Sequence, residues 1–255
     1  MQVIDRQSNN IDAVRGIIDC LRQLGRFERA KPYIDIGRRL RPEDRAFRQL
    51  ELSWEIAFGD PRKLIESRKQ FVEADPSVAE HWRSLGVAYS GSVRYIESKG
   101  GPDAEREKYL ALAAETFGKA AERFPDQPDF VEFQADTLRQ LKRTAEGVAA
   151  IKRFMALPEQ QDKPTGVLML ATLYARDGRA IAAINDLQDF LKAHPGPQPE
   201  VRIRLAQLLR MANRLDDALK LLAEADTQPD IRRERVEMLI GVGRLDEARA
   251  IVDKA

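Results

Sequence analysis

Few residues of this chain are of a type that could carry catalysis or bind a metal ion. The sequence has one cysteine, Cys20, and two histidines, His81 and His194. A nucleophilic cysteine needs a neighbouring base, and a histidine metal site needs ligands at a matched spacing such as H-E-x-x-H. The sequence contains neither pattern, so we interpret Cys20 as a small buried residue and the histidines as helix-terminal side chains.

Nucleotide-binding and hydrolase motifs are also absent from the sequence. Gly241-Val242-Gly243 has no third glycine and no strand before it, so it is not a dinucleotide-binding loop. The sequence contains neither G-x-x-x-x-G-K-[ST] nor G-x-S-x-G. We therefore predict a chain that is not an enzyme and holds no cofactor and no metal ion.

Composition places the chain among ordinary globular proteins. It has 255 residues, 43% of them hydrophobic and 33% charged, and a formal net charge of +1. No run approaches 18 uninterrupted apolar residues, so we expect no membrane insertion of this chain. We expect a soluble protein, cytoplasmic by default and periplasmic if it belongs to a longer exported chain.

Two basic clusters are the only features that point toward nucleic acid. One comprises Arg38, Arg39 and Arg41, and the other comprises Arg232, Arg233 and Arg235. Acidic residues stand beside both clusters, and the balanced net charge provides no long-range attraction for a polyanion. We interpret both clusters as solvated helix faces and predict no nucleic-acid partner, with an RNA-binding repeat array as the minor alternative.

The spacing of prolines shows a repeated unit. Pro42 and Pro76 are 34 residues apart, as are Pro195 and Pro229, and one insertion of 15 residues accounts for Pro125. Apolar residues between these prolines recur at three and four, which is typical of amphipathic helices. A Gly-Arg or Asn-Arg pair lies inside several units, at positions 25, 178, 213 and 243. Because Gly and Asn tolerate the left-handed conformation that ends a helix, each unit is predicted to be a helix, a turn and a second helix.

One unit carries a specific family signature. Trp82, Leu85, Gly86 and Tyr89 match W-x2-L-G-x2-Y, and past the insertion Ala113, Phe117, Ala120 and Pro125 complete the pattern A-x3-F and a terminal proline. The chain resembles a tetratricopeptide repeat protein. The resemblance implies an all-α fold, an α-solenoid of stacked antiparallel helix-turn-helix units that forms a right-handed superhelix. We predict a single array over 1–255, with units that start near 11, 45, 79, 128, 164, 199 and 229.

The insertion is predicted to lengthen one helical hairpin at 90–112 by about two turns on each helix. Val93, Tyr95, Ile96 and Tyr109 would provide its apolar surface. Two interpretations stay open, since these side chains either pack against one another inside the hairpin or dock a partner. Residues 3–7 and 251–255 both resemble parts of second helices, so we expect a piece of a longer array. The alternative is that frayed ends, or self-association through the uncapped ends, cover the exposed faces.

The resemblance also implies where a partner binds, because the first helices line the concave groove in this family. The residues predicted to face that groove are Arg15, Asp19, Arg22, Gln49, Ser53, Arg83, Val87, Glu132, Asp136, Arg139, Thr172, Gln207 and Arg210. Some family members clamp a C-terminal carboxylate, but Asp19 and Leu50 replace residues that this clamp requires. We predict a non-enzymatic scaffold for a protein or peptide ligand; the alternative is a regulatory or substrate-recruiting arm of a larger enzyme or of an envelope or secretion assembly.

Overall fold

The computed structural model describes residues 10–253, apart from the side chains of residues 52 and 56. Within that range the chain consists of helices and turns and has no strand. The helices are α1 (Ile11–Gln23), α2 (Lys31–Leu40), α3 (Arg45–Phe58), α4 (Ile65–Ala74), α5 (Ala79–Ser98), α6 (Asp103–Arg123), α7 (Pro128–Gln140), α8 (Thr144–Met155), α9 (Thr165–Arg176), α10 (Ala180–Ala193), α11 (Pro199–Met211), α12 (Leu215–Ala223), α13 (Pro229–Gly241) and α14 (Leu245–Val252). Short 3-10 turns precede α2 and α4.

The all-α chain of successive helix pairs is consistent with the predicted α-solenoid fold class. We call the odd-numbered helices the first helices and the even-numbered ones the second helices. A first helix begins at, or one residue after, each predicted unit start. The chain divides into two compact units, one ending at Ser67 and one beginning at Arg68. The grouping of all the helices into one array of seven repeats stays a prediction, and the interpretation of residues 3–7 lies outside the described residues.

The unit that ends at Ser67 has a small core between α1, α2 and α3. Val14, Ile18, Ala30, Ile34 and Phe47 form it, and each is at most 6% exposed. Val14 and Ile18 are four residues apart on α1, which places both side chains on one helix face. Phe47 lies against Gly37 of α2 so closely that any Cβ there would overlap its ring.

The unit that begins at Arg68 buries a longer, continuous core. Each helix from α5 to α14 packs against the next, and first helices also contact one another from α7 to α13. One cluster of buried residues runs from Val131 to Ala248. Within it Leu205, Leu208 and Leu209 are at most 2% exposed, as the spacing of three and four predicts.

Left-handed residues end the first helices at the predicted places. Gly25, Gly178, Asn213 and Gly243 have φ values of 65°, 74°, 59° and 78°. Lys142, with φ of 60°, occupies the equivalent place after α7. The sequence analysis missed this turn because lysine gives no turn signal, yet the neighbouring helices hold it in the same conformation.

In several first helices the side chain at the fourth position donates a hydrogen bond to a carbonyl oxygen of the preceding loop. Trp82 donates its indole N–H to the carbonyl oxygen of Pro76 at 2.9 Å. Arginines replace tryptophan in other units and donate in the same direction: Arg48 to Pro42 at 3.3 Å, Arg202 to Pro197 at 3.0 Å, and Arg232 to Asp226 at 3.1 Å. Arg232 is therefore tied to its own loop, whereas the sequence analysis assigned it to a solvated face.

Candidate partner-binding site

A cleft between α1 and α3 brings together five of the predicted groove residues. Arg15, Asp19 and Arg22 line it from α1, while Gln49 and Ser53 line it from α3. Residues four and seven apart on α1, and four apart on α3, share a helix face, so the two faces meet across the cleft. The cleft has a volume of about 380 Å³, and Ala46 and Leu50 complete its wall.

The cleft combines cationic groups with uncharged hydrogen-bonding groups. Arg15 pairs with Asp44 and lies 5.4 Å from the Phe47 ring centroid, while Arg22 pairs with Asp19 at 3.2 Å. The backbone N–H of Ala46 and the guanidinium of Arg15 lower the pKa of the Asp44 carboxyl, so it is ionised at neutral pH. Both arginine side chains are still about half exposed or more, at 46% and 62%.

Gln49 and Ser53 are the uncharged polar residues of the cleft. Both are exposed, and neither side chain forms a hydrogen bond to any other residue within 10–253. An amide and a hydroxyl can each donate and accept, which is what an extended peptide backbone requires of its receptor. The cleft can therefore bind both the backbone and an acidic side chain of a peptide.

Arg83 on α5 bridges to α7. Its guanidinium donates to the carboxylate of Asp129 at 2.6 and 3.0 Å and to Gln127 at 3.0 Å. It also lies 4.8 Å from the ring centroid of Phe130. These contacts link two successive first helices, and they leave few of its N–H groups for a ligand.

Asp136 on α7 has a similar structural role. Its carboxylate accepts hydrogen bonds from Arg176 of α9 at 2.9 Å, from Arg139 at 3.1 Å and from Gln140 at 2.9 Å. Burial raises the pKa of the Asp136 carboxyl, but the hydrogen bond from Arg176 and the charge of Arg139 outweigh that effect and hold the pKa below its ordinary value. Asp136 thus joins α7 to α9 through ionised contacts.

The remaining predicted groove residues lie in different surroundings. Gln207 donates to Glu234 of α13 at 3.2 Å, and the Thr172 hydroxyl donates to the Leu168 carbonyl oxygen within α9. Val87 is 46% exposed, and Glu132 and Arg210 are also exposed. In the unit that begins at Arg68, some of the predicted groove residues therefore contact a neighbouring helix, and others are exposed to solvent.

The sequence analysis missed the residues that complete these links. Arg176 and Glu234 were not chosen, although each stands on a first helix beside a predicted groove residue of the preceding unit. An opposite-charge or hydrogen-bonding partner at the neighbouring unit was the available signal. Phe133 and Met211, exposed at 38% and 69% on first helices, were also missed because their apolar character suggests core.

The hairpin of α5 and α6 is longer than its neighbours, with 20 and 21 residues against 13 in α7. Val93 and Ile96 are each 3% exposed, so for these two residues the structure agrees with packing inside the hairpin and not with docking, the other interpretation left open. They are buried because the two long helices pack against each other. Tyr95 and Tyr109 are partly exposed, and Tyr109 lies 6.2 Å from Tyr89, centroid to centroid.

Residues with potential chemistry are scattered. Cys20 is exposed, which corrects the expectation that it is buried, since the core face of α1 is formed by Val14 and Ile18. His194 stacks on Phe190 at 4.1 Å. Among residues 10–253 no group of three His, Cys, Asp or Glu side chains could hold a metal ion, and no helix is long and apolar enough to cross a membrane.

Both basic clusters are partly occupied by internal contacts. Arg38 donates to Glu51 at 2.9 Å and to the Pro42 carbonyl oxygen. Arg235 pairs with Asp226 at 3.2 Å. Their positive charge is therefore partly neutralised within the chain.

Comparisons with known proteins found one family model and several similar solved structures. Residues 174–230 match the family model for the tetratricopeptide repeat. No curated protein matches the chain. Similar solved structures include TTC0263, a thermophilic TPR protein from Thermus thermophilus, with 21% identity, a TM-score of 0.45 and coverage of 78% of this chain and 99% of that one. PilW, a type IV pilus biogenesis factor, has 20% identity, a TM-score of 0.44 and coverage of 81% and 89%.

A third similar structure is YrrB, described as a TPR protein with an unusual peptide-binding site, at 14% identity, a TM-score of 0.39 and coverage of 95% and 96%. At these values the likenesses concern the fold alone. Residues 174–230 and the Trp82 signature thus both match the tetratricopeptide repeat, and the repeated helix pairs are similar to the units of that family.

Proposed function

We propose that this protein is a scaffold that binds an extended peptide segment of a partner protein, and that the α1–α3 cleft is one of its contact sites. The observation that carries the proposal is the convergence of Arg15, Arg22, Gln49 and Ser53 on a single cleft. A tetratricopeptide repeat fold presents such faces for protein interaction.

The chemistry of the cleft favours a peptide with an acidic side chain. The guanidinium groups of Arg15 and Arg22 pair with carboxylates that a ligand carboxylate could replace or join. Gln49 and Ser53 supply hydrogen bonds to the peptide backbone, and Ala46 and Leu50 give a small apolar wall. Ion pairs near the surface contribute little to stability, so a ligand can replace them at little cost.

The test selects dodecapeptides from a random phage-displayed library on the intact 255-residue chain and measures the best synthetic peptide by fluorescence anisotropy. We expect the variant R15E/R22E to weaken its binding at least tenfold. The matched control R26E/R29E changes the net charge by the same amount, at exposed positions outside the cleft. Its affinity for the peptide should stay within twofold of that of the unmodified chain.

A second variant, Q49A/S53A, tests the backbone contacts without altering charge, and we expect a threefold to tenfold loss. The proposal is wrong if no peptide is enriched, or if the enriched peptides bind both cleft variants as tightly as the unmodified chain. Circular dichroism on each variant checks that the helix content is unchanged.

A further inference from the structure

A second groove lies between two second helices, α10 and α12, over the first helix α11. Leu205 and Leu209 of α11 form its floor, and Leu191 and Leu221 form part of its walls. It has a volume of about 460 Å³. Of the two helices that form its walls, α10 has 14 residues and α12 has 9.

The groove uses a different face of α11 from the predicted partner-binding residues. Arg202, Leu205 and Leu209 recur at three and four residues and line the groove, whereas Gln207 and Arg210 point away from it on the first-helix surface. A ligand in this groove would therefore leave the first-helix surface free.

Charge in the groove is unbalanced. Basic side chains outnumber acidic ones by four to two among the lining residues. Arg214 is paired with Asp217 at 2.7 Å, and Arg202 donates to the Pro197 and Leu221 carbonyl oxygens. These two arginines are largely satisfied by the protein itself.

The two lysines are the available charges. Lys220 on α12 has no ion pair with any residue within 10–253. Lys192 on α10 pairs only with Asp189 of its own helix, and both side chains of that pair are more than 70% exposed. Such an exposed ion pair contributes little free energy, so a ligand carboxylate can replace Asp189 as the partner of Lys192. The ammonium groups thus flank a leucine-lined floor from opposite walls.

Two hollows over α7, between α6 and α8, provide an internal comparison. One is lined by Glu122 and Arg153, and the other by Glu115, Glu146, Arg143 and Arg153, so each has equal numbers of acidic and basic side chains. The α10–α12 groove has an excess of positive charge that these two hollows do not have. An acidic ligand distinguishes between them by charge complementarity.

We propose that the α10–α12 groove docks an acidic, aliphatic segment of a partner polypeptide. Leucine-type side chains of the segment enter the hollow over Leu205 and Leu209, and flanking carboxylates pair with Lys192 and Lys220. Burial of the aliphatic side chains supplies most of the affinity, and the lysines select the acidic sequence. This surface is separate from the α1–α3 cleft.

The experiment titrates an acetylated and amidated octapeptide, Glu-Asp-Glu-Leu-Leu-Asp-Glu-Glu, into the ¹⁵N-labelled 255-residue chain. We expect amide shifts concentrated in α10, α11 and α12, and an affinity that falls as salt is raised. The variant K192E/K220E should weaken binding at least tenfold. The control K108E/R153E changes the net charge equally at exposed positions outside this groove and should stay within twofold.

Two further peptides test the chemistry of the occupant. Replacing both leucines with serine should weaken binding at least tenfold, and replacing all acids with lysine should abolish it. The proposal is overturned if the acidic peptide causes no shifts at millimolar concentration, if K108E/R153E loses as much as K192E/K220E, or if the lysine peptide binds equally well. Shifts that map to α1 and α3, and that R15E/R22E removes, would also overturn it while supporting the cleft.

Discussion

Gly86 shows how a single residue sets the distance between two helices. It lies on α5 where the ring of Phe117 from α6 packs directly on the backbone, and a Cβ would overlap that ring. Gly16 on α1 is the opposite case, because a Cβ there would meet no atom within 4 Å. Both glycines lie within helices, so replacing each with alanine changes the backbone entropy in the same way. Only the replacement of Gly86 also changes the packing between helices.

We predict that Gly86→Ala lowers the free energy of unfolding by about 1–3 kcal/mol, since the added methyl group overpacks the helix contact. Gly16→Ala should raise it by about 0.5–1 kcal/mol, because it reduces the entropy of the unfolded chain at no steric cost. Urea unfolding followed by circular dichroism measures both. A loss at Gly16, or no loss at Gly86, would contradict the packing described here.

For single residues, the sequence predicted the position correctly where the residue type is favoured by one kind of local structure. Gly86 was placed by the family signature, and Asn213 and Gly243 were placed by their tolerance of positive φ. The prediction failed for Cys20, which a stripe of apolar residues suggested was buried, because the stripe is wider than the face that α2 and α3 cover. It also failed for Lys142, whose conformation is imposed by the adjoining helices and not by its own type.

Between elements, Asp136 is the clearest example of an ion pair that joins helices, because it links α7 to Arg176 of α9. Its carboxyl pKa is lowered in the folded chain from the ordinary value of 3.8. A lowered pKa means that this stabilisation is fully present above pH 3.8 and is lost as the pH falls through the lower, folded-state value.

We expect Asp136→Asn to lower the free energy of unfolding by about 1.5–3 kcal/mol at about pH 7, the range for hydrogen bonds to a charged group. The difference from the unmodified chain should shrink as the pH falls below about 4, because the Asp136 carboxyl then becomes protonated in the unfolded chain before it does so in the folded chain. Glu132→Gln, an exposed change on the same helix, should show no such dependence. Thermal or urea unfolding between about pH 3 and 7 measures it, and a constant difference would refute the assignment.

The long hairpin provides a test of packing against docking. Ile96 is 3% exposed between α5 and α6, so Ile96→Ala should lower the free energy of unfolding by about 2–5 kcal/mol. It should leave the affinity for a selected peptide unchanged, whereas Tyr95→Ala, at a partly exposed position, should affect stability less. Peptide binding that fails in Ile96→Ala without any loss of stability would restore the docking interpretation of the hairpin.

At the scale of elements the sequence predicted most of the architecture, since the period of 34 residues and the apolar spacing located the helix pairs. The sequence predicted the binding-site residues less accurately than the helices. Arg83 shares the first-helix position of Gln49, and Asp136 and Gln207 share that of Ser53. They contact a neighbouring first helix, whereas the side chains of Gln49 and Ser53 form no hydrogen bond within 10–253. Position within a repeat gives the face of a helix, and only the neighbouring unit decides whether a side chain on that face already has a partner.

The two compact units of the whole chain differ in the size of their cores. Among the side chains that the structure describes, the core around Phe47 comprises five buried residues, whereas the core that extends from Val131 to Ala248 joins helices α7 to α14. Because repeat arrays are held together by contacts between neighbours, stability in them follows the local number of buried contacts and need not be uniform.

We therefore predict that backbone amides in α1–α3 exchange with solvent deuterium faster than those in α9–α11. Phe47→Ala, which removes a fully buried ring and costs about 3–5 kcal/mol, should abolish the remaining protection in α1–α3 and leave α9–α11 unchanged. The matched change Leu205→Ala should have the reverse pattern, because Leu205 is 1% exposed in the larger core. Hydrogen exchange by mass spectrometry measures both, and equal loss of protection throughout the chain in either variant would mean that the two units unfold as one.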